Sequence, residues 1–178
     1  MDVIKTDIDG LVLIKPKLIA DKRGAFYKTF HDDVFRENNL NTDWKEEYFS
    51  KSNKNVLRGM HFQLPPEDHF KLVSCTQGKV LDVVLDIRTK SLTYKRVSYF
   101  ELNGSNAYQL YIPKGCAHGF LALENNSTMF YKVSTVYSPE EDAGILWNSI
   151  DFDWPCLNPI VSDRDLNHLP LEEFNSPF

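Results

Sequence analysis

From Leu11 to Tyr137 strand signals dominate the chain, as short runs rich in apolar residues broken by clusters of turn residues. GAFYKTF (24–30) alternates at period two, the pattern of a strand with one buried face. FKLVSCTQ (70–77) and KVLDVVLDIR (79–88) flank Gly78 and together predict a hairpin. In the second run Val80, Asp82, Val84 and Asp86 alternate with Leu81, Val83, Leu85 and Ile87. RVSYFEL (96–102), AYQLYIP (107–113), GFLAL (119–123) and MFYKVSTVY (129–137) continue the series, separated by NGSN, PKG and ENNS turns. LVLIKPKLIAD (11–21) is β-rich, but Pro16 confines it to an edge or arm strand. The one helix candidate is HDDVFRENNL (31–40), with Asp32 or Asp33 as cap and Val34, Phe35 and Leu40 as its apolar stripe. From Ser138 onward the chain is Pro- and Asp-rich and reads as irregular, with a short helical turn or two. Short strands at nearly regular spacing predict an all-β sandwich or barrel, of which a jelly roll is one solution.

Composition narrows the classes. The 178 residues suit a single domain, and 42% hydrophobic residues can form its core. Lys and Arg number 20 against 25 Asp and Glu, giving a net charge of -5, which argues against nucleic acid as partner. A local cationic pocket for one nucleotide remains compatible with that balance. The opening MDVIKTDIDGLVLIKPK has no secretory pattern, and no run is long enough for a membrane helix. Cys75, Cys116 and Cys156 are odd in number and lack CxxC spacing, so a disulfide framework is not expected and a cytoplasmic location is.

Two histidine-bearing segments carry the candidate chemistry. IPKGCAHGF places Pro113, Gly115 and His118 at the spacing of a metal-binding cupin's second motif. The first motif calls for an HxH pair, but the residue two after His61 is Gln63, and neither Glu67 nor His69 falls at the required step. A first-row metal needs three or four converging donors, so no metal is expected. The same barrel can present His61 and His118 as imidazoles that exchange protons.

RGMHFQ, KLVSCTQGKVLDVVLDIR, QLYIPKGCAHGF, YKVSTVYSPEEDAGILWN and SDRD resemble, in order, the signature blocks of dTDP-4-dehydrorhamnose 3,5-epimerases, from about Leu18 to about Leu171. The resemblance implies a single cupin-type jelly roll over 1–178 with short peripheral helices. It also implies a homodimer exchanging N-terminal strands (about 1–30), no cofactor, and epimerisation of a nucleoside-diphosphate-linked 4-keto-6-deoxy sugar for surface-polysaccharide supply. A C4 ketone acidifies the hydrogens on C3 and C5, so a base can leave an enolate that is reprotonated from the opposite face. That chemistry needs a base, a cation or donor for the enolate oxygen, and an acid on the far face. By resemblance His61 is the base and Asp165 its carboxylate partner, Lys71 with His118 faces the C4 oxygen, and Tyr131 returns the proton. Arg23 and Arg58 resemble diphosphate and substrate contacts, and Tyr137 the ring that stacks on the base. Trp147 follows the family too, with a packing role as the competing reading, and His69 matches no family role and reads as background polarity.

The chain departs from the family at several contact positions. Lys28 stands for a Glu; Glu46, Glu47 and Tyr48 replace a Gln-Asp-Asn stretch; Asp142 stands for a Glu and Arg164 for a Lys. Lys28, Glu46, Asp142 and Arg164 are therefore expected in substrate binding. The changes raise a CDP- or GDP-linked hexose or heptose, or inversion at one carbon only, as alternatives. A 3,4-ketoisomerase, a non-catalytic sugar-binding cupin and a metal-dependent dioxygenase are the remaining readings.

Overall fold

The computed structural model describes residues 1–178. In chain order it contains β1 (Asp2–Lys5), β2 (Val12–Lys15), β3 (Ile19–Asp21), β4 (Gly24–Phe26), α1 (Asp32–Glu37), β5 (Glu46–Ser52), β6 (Leu57–Gln63), β7 (Lys71–Gln77) and β8 (Lys79–Asp86). There follow β9 (Val97–Asn103), β10 (Gln109–Ile112), β11 (Cys116–Ala122), β12 (Ser127–Val133), β13 (Asp142–Gly144) and α2 (Asp163–Leu166). A six-stranded sheet runs β1-β2-β10-β7-β12-β5 and faces a five-stranded sheet, β13-β6-β11-β8-β9; β3 and β4 form a separate hairpin. All pairings between strands are antiparallel, and the result is the expected jelly-roll sandwich.

Burial explains the sequence pattern of β8. Val80 and Val84 point between the sheets, where they join Val73, Leu110, Phe120 and Met129. Val83, Leu85 and Ile87 lie on the outer face, covered by Ile150, Trp154 and Leu171 of the C-terminal segment. A strand buried on both faces reads as a nearly continuous apolar run. Each fully buried Leu or Ile contributes about 1.5–3 kcal/mol relative to exposure. On the outer face of the six-stranded sheet, Phe35 of α1 packs with Ile14, Leu72 and Tyr111.

The structure corrects three expectations. β7 and β8 do not form a hairpin: they belong to different sheets, and Gly78, at φ +72°, carries the chain across in one residue. A Cβ there would stand 2.8 Å from Ser127 Cα, so only Gly fits the crossing. The helix is shorter than its pattern, ending at Asn38 and Asn39, and its cap is His31, with no side-chain cap bond. Asp32 instead pairs with Arg36 one turn on. The run 11–21 splits around Pro16 into β2 and β3, and β1, β5 and β13 join the sheets in segments without a clear strand pattern. Of the first thirty residues, β1 and β2 pair within the chain's own sheet, leaving only β3–β4 apart from it.

Gly59 of β6 crosses Gly119 of β11 so closely that a Cβ on Gly59 would sit 2.5 Å from Gly119 Cα, and its φ is +140°. Strain and overpacking both oppose any side chain there. Gly59→Ala is expected to lower unfolding free energy by about 3 kcal/mol in chemical denaturation; an unchanged midpoint and slope would contradict so close a β6–β11 contact.

Candidate active site

Period-two geometry brings polar residues from six strands to one cavity between the sheets, of about 340 Å³. From the six-stranded sheet come Glu46, Tyr48 and Ser50 of β5, Lys71 of β7, and Tyr131 and Val133 of β12. Facing them are His61 and Gln63 of β6, His118 and Phe120 of β11, and Asp142 of β13. Cross-strand register fixes the neighbours: His118 lies opposite His61, Val133 opposite Lys71, Tyr131 opposite Tyr48, and Asp142 opposite Gln63.

His61 Nε2 is 2.8 Å from Asp165 Oδ1, while Asp165 Oδ2 accepts the Gly59 N–H at 3.0 Å. Asp165 sits in α2, where Ser162 caps the helix by accepting from its backbone N–H, and it is 3% exposed. Burial pushes the carboxyl upward, but hydrogen bonds and charge from His61, with those of Gly59 and Ser162, bring it down to about 2. Burial holds the His61 imidazole below its ordinary value, with the Asp165 bond working the other way. The resting pair is a carboxylate and a neutral imidazole with its proton on Nε2. The lone pair is then on Nδ1, which no protein group engages.

His168 Nε2 lies 3.8 Å from the same carboxylate oxygen and has no hydrogen-bond partner. His61, Asp165 and His168 thus offer three donor atoms within 4.8 Å of one another, the one such grouping in the chain. A metal there would have to displace the proton that binds His61 to Asp165. Gln63, at the position of the missing second histidine, is occupied elsewhere: its amide nitrogen donates to Glu67 O at 2.7 Å and its oxygen accepts from Ser138 N–H.

Three further groups face the same space. Lys71 Nζ donates to the His61 carbonyl oxygen at 3.1 Å, and burial draws its ammonium down to about 8, with Asp142 and Asp82 opposing. His118 Nε2 is 2.9 Å from Asp82 Oδ2, and both side chains are buried. Burial raises the Asp82 carboxyl, against the pull of His118 and Lys71. Tyr131 is 6% exposed, and burial raises its phenol well above the ordinary value. At the rim, Arg164 Nη2 lies 2.8–2.9 Å from both Asp142 carboxylate oxygens and Tyr137 Oη donates to Asp142 Oδ2 at 3.2 Å. Glu46 accepts the Tyr137 N–H at 2.9 Å, and the Arg58 Nε donates to Ser52.

Nine of the residues singled out in the sequence therefore line one cavity: Glu46, Arg58, His61, Lys71, His118, Tyr131, Tyr137, Asp142 and Arg164. Asp165 stands behind His61. Arg23 and Lys28 lie outside their own chain's cavity, on and just after the β3–β4 hairpin, where Arg23 pairs with Asp21 in solvent. His69 is no background residue: it lines the cavity, its Nδ1 meets Thr135 Oγ1 at 3.0 Å, and burial pushes it down to about 3. Trp147 packs against Trp154, away from the cavity. Sequence reasoning missed Asp82, Ser50 and His168, and it noted Tyr48 only as a departure from the family's pattern. Asp82 alone left a signal, a charge on the inward-facing positions of an otherwise apolar strand.

Comparison with known proteins agrees with this geometry. The family pattern described as dTDP-4-dehydrorhamnose 3,5-epimerase matches residues 5–173. The dTDP-4-dehydrorhamnose 3,5-epimerase of Shigella flexneri is 42% identical over 170 residues, 94% of each chain. The crystal structure of the corresponding enzyme of Elizabethkingia anophelis NUHP1 superposes with a TM-score of 0.94 at 33% identity, covering 99% of both chains. A dTDP-6-deoxy-D-glucose-3,5-epimerase from Legionella pneumophila Philadelphia 1, solved in complex with dTDP-4-keto-L-rhamnose, has a TM-score of 0.92 at 36% identity, covering 98% of this chain and 94% of its own.

The depressed Asp165 carboxyl has a consequence for stability. Its folded value of about 2 lies below the ordinary value of 3.8, so its contribution is complete above about pH 4 and disappears as pH falls through about 2. The stability difference between the natural chain and Asp165→Asn is expected to shrink by about 2 kcal/mol from pH 6 to pH 2. A difference independent of pH, measured by urea unfolding, would contradict the pairing.

Proposed function

The chain belongs to the dTDP-4-dehydrorhamnose 3,5-epimerase family and is an isomerase acting on nucleotide sugars; on that premise we propose a division of labour for its cavity, acting on a dTDP-linked 4-keto-6-deoxyhexose. One observation carries the proposal: His61 and Tyr131 come from opposite sheets and face the same cavity. His61 Nδ1 takes the proton from C3 or C5, and the C–H electron pair moves into the ring to leave the C4 oxygen as an enolate. Asp165 stabilises the imidazolium that forms. The Lys71 ammonium and His118, backed by Asp82, receive the oxyanion in a space where burial makes a fixed charge count for more than it would in water. Tyr131 then gives its phenolic proton to the opposite face of the carbon. Solvent reprotonates the phenolate and takes the proton from His61, so no net oxidation or reduction occurs.

Arg58 and Arg164 suit the diphosphate, since guanidinium forks match phosphate oxygens. Tyr137, 54% exposed at the rim, suits a stacking face for the base. The Shigella and Legionella relatives are both dTDP-sugar epimerases by name, which favours dTDP over the CDP and GDP carriers raised by Glu46, Glu47 and Tyr48. The cytoplasmic reading rests on three cysteines that form no disulfide, and no helix is long and apolar enough to cross a membrane.

A homodimer brings Arg23 and Lys28 into use. The hairpin β3–β4 pairs with no other strand of its chain and exposes Leu18, Ile19 and Phe26, while β5 presents a free edge bordering the cavity. An unpaired edge and an apolar unpartnered hairpin are complementary between two copies. In this reading the exchanged segment is the β3–β4 hairpin with the residues just after it, and Arg23 and Lys28 serve the neighbouring cavity.

Two measurements test these assignments. Incubation with the dTDP-linked 4-keto-6-deoxyhexose in D₂O should place deuterium at C3 and C5, read by NMR, and His61→Asn should slow exchange by about 10² to 10⁴-fold. Absence of exchange in the natural protein, or full activity in His61→Asn, would sink the proton-transfer roles of this cavity. In sedimentation the natural chain should run as a dimer and Phe26→Asp as a monomer; a monomeric natural chain would remove the case for hairpin exchange.

A further inference from the structure

Tyr48 lies directly across from Tyr131 in the β5–β12 pair. Their rings are stacked, with centroids 4.6 Å apart and planes 14° from parallel. On another side, the His118 ring meets Tyr131 edge-on at 6.1 Å. The Tyr131 hydroxyl has a single long protein contact, 3.5 Å to Ser50 Oγ. Hydrogen bonding therefore does little to orient the phenol, and its ring is held mainly by its aromatic neighbours. Of these, Tyr48 presents the larger and more nearly parallel face. Offset or parallel aromatic pairs contribute orientation as well as buried area. Tyr48 also lines the cavity, and it stands at one of the positions where this chain departs from the family's sequence.

We propose that Tyr48 is a positioning residue whose ring, stacked on Tyr131, aims the phenolic proton at the enolate and so decides how often the sugar carbon is inverted. The inference rests on the proton-transfer roles proposed for His61 and Tyr131. The enolate has two fates: reprotonation from the His61 side restores the original configuration, and reprotonation from the Tyr131 side inverts it. In D₂O both routes introduce deuterium, but only the second changes stereochemistry. The ratio of inversion to exchange without inversion therefore reports the aim of Tyr131 and is insensitive to a general loss of activity.

The ring is the acting part, so Tyr48→Phe should keep the natural ratio within about twofold. Tyr48→Ala should lower the inversion rate by about tenfold or more while non-inverting exchange persists, since misplacement of a reacting group by about 1 Å costs that order of rate. Tyr48→Leu, which restores apolar bulk without a parallel ring, should resemble Tyr48→Ala and guards against a folding defect, checked by thermal unfolding. If Tyr48→Ala and Tyr48→Leu slow both routes equally and leave the ratio unchanged, the positioning role is overturned while the epimerase assignment stands. If Tyr48→Phe loses inversion as well, the hydroxyl acts rather than the ring, and the proposal is again overturned. Failure of the natural protein to exchange deuterium would overturn the proton-transfer reading itself.

Discussion

The five-stranded sheet is apolar on both faces, and that constraint organises the rest of the molecule. Its inner face is covered by the six-stranded sheet, so the outer face, with Val83, Leu85 and Leu121, needs a second cover. The segment after Ser138 supplies it with Ile145, Ile150, Trp154 and Leu171. In crossing the sheet this segment adds β13 to the edge of β6 and then sets α2 beside it. The Asp165 carboxylate consequently arrives 2.8 Å from His61, although the two residues are over a hundred positions apart. A hydrophobic requirement on the outer face of a sheet thus completes a His–Asp pair at the cavity.

The cavity combines two His–Asp pairs with different environments. His61–Asp165 is reached from the cavity, with the imidazole side chain 27% exposed, whereas His118–Asp82 is buried throughout. The first suits a base that must exchange protons with substrate and solvent. The second suits a fixed donor beside Lys71, whose ammonium burial draws down to about 8 while Asp142 and Asp82 hold it up, so that it still carries its charge at neutral pH. Burial raises the Tyr131 phenol, so at neutral pH it carries the proton that an acid must hold. Opposite perturbations on opposite walls are how one cavity can hold a base and an acid together.

Short apolar runs bounded by turn residues, such as β7, β9, β10 and β12, were legible from residue pattern alone, and so was the all-β class. Their sheet partners were not. Gly78 read as a hairpin turn, yet the flanking strands separate because each finds a better buried neighbour in a different sheet. β5 escaped notice because its EEYFSKS sequence is polar at the edge of a sheet, and β1 and β13 because they are short. Among site residues, those in compact motifs such as RGMHFQ and SDRD were identified from resemblance. Asp82, Tyr48 and His168 act through contacts made across strands or by the covering segment, which spacing along the chain does not reveal. His69 shows the converse: isolated in sequence, it is carried into the cavity wall because β7 begins two residues later and its alternation extends outward past Lys71.

Everything in the proposed chemistry turns on proton removal and return from opposite walls, by His61 and Tyr131. The decisive observation is the stereochemical fate of deuterium in Tyr131→Phe incubated in D₂O with the dTDP-linked 4-keto-6-deoxyhexose. Deuterium should appear at the carbon next to the ketone with its original configuration retained, because His61 still removes and returns a proton while the opposite wall has none to give. Inversion at the natural rate in that variant would contradict the two-wall mechanism.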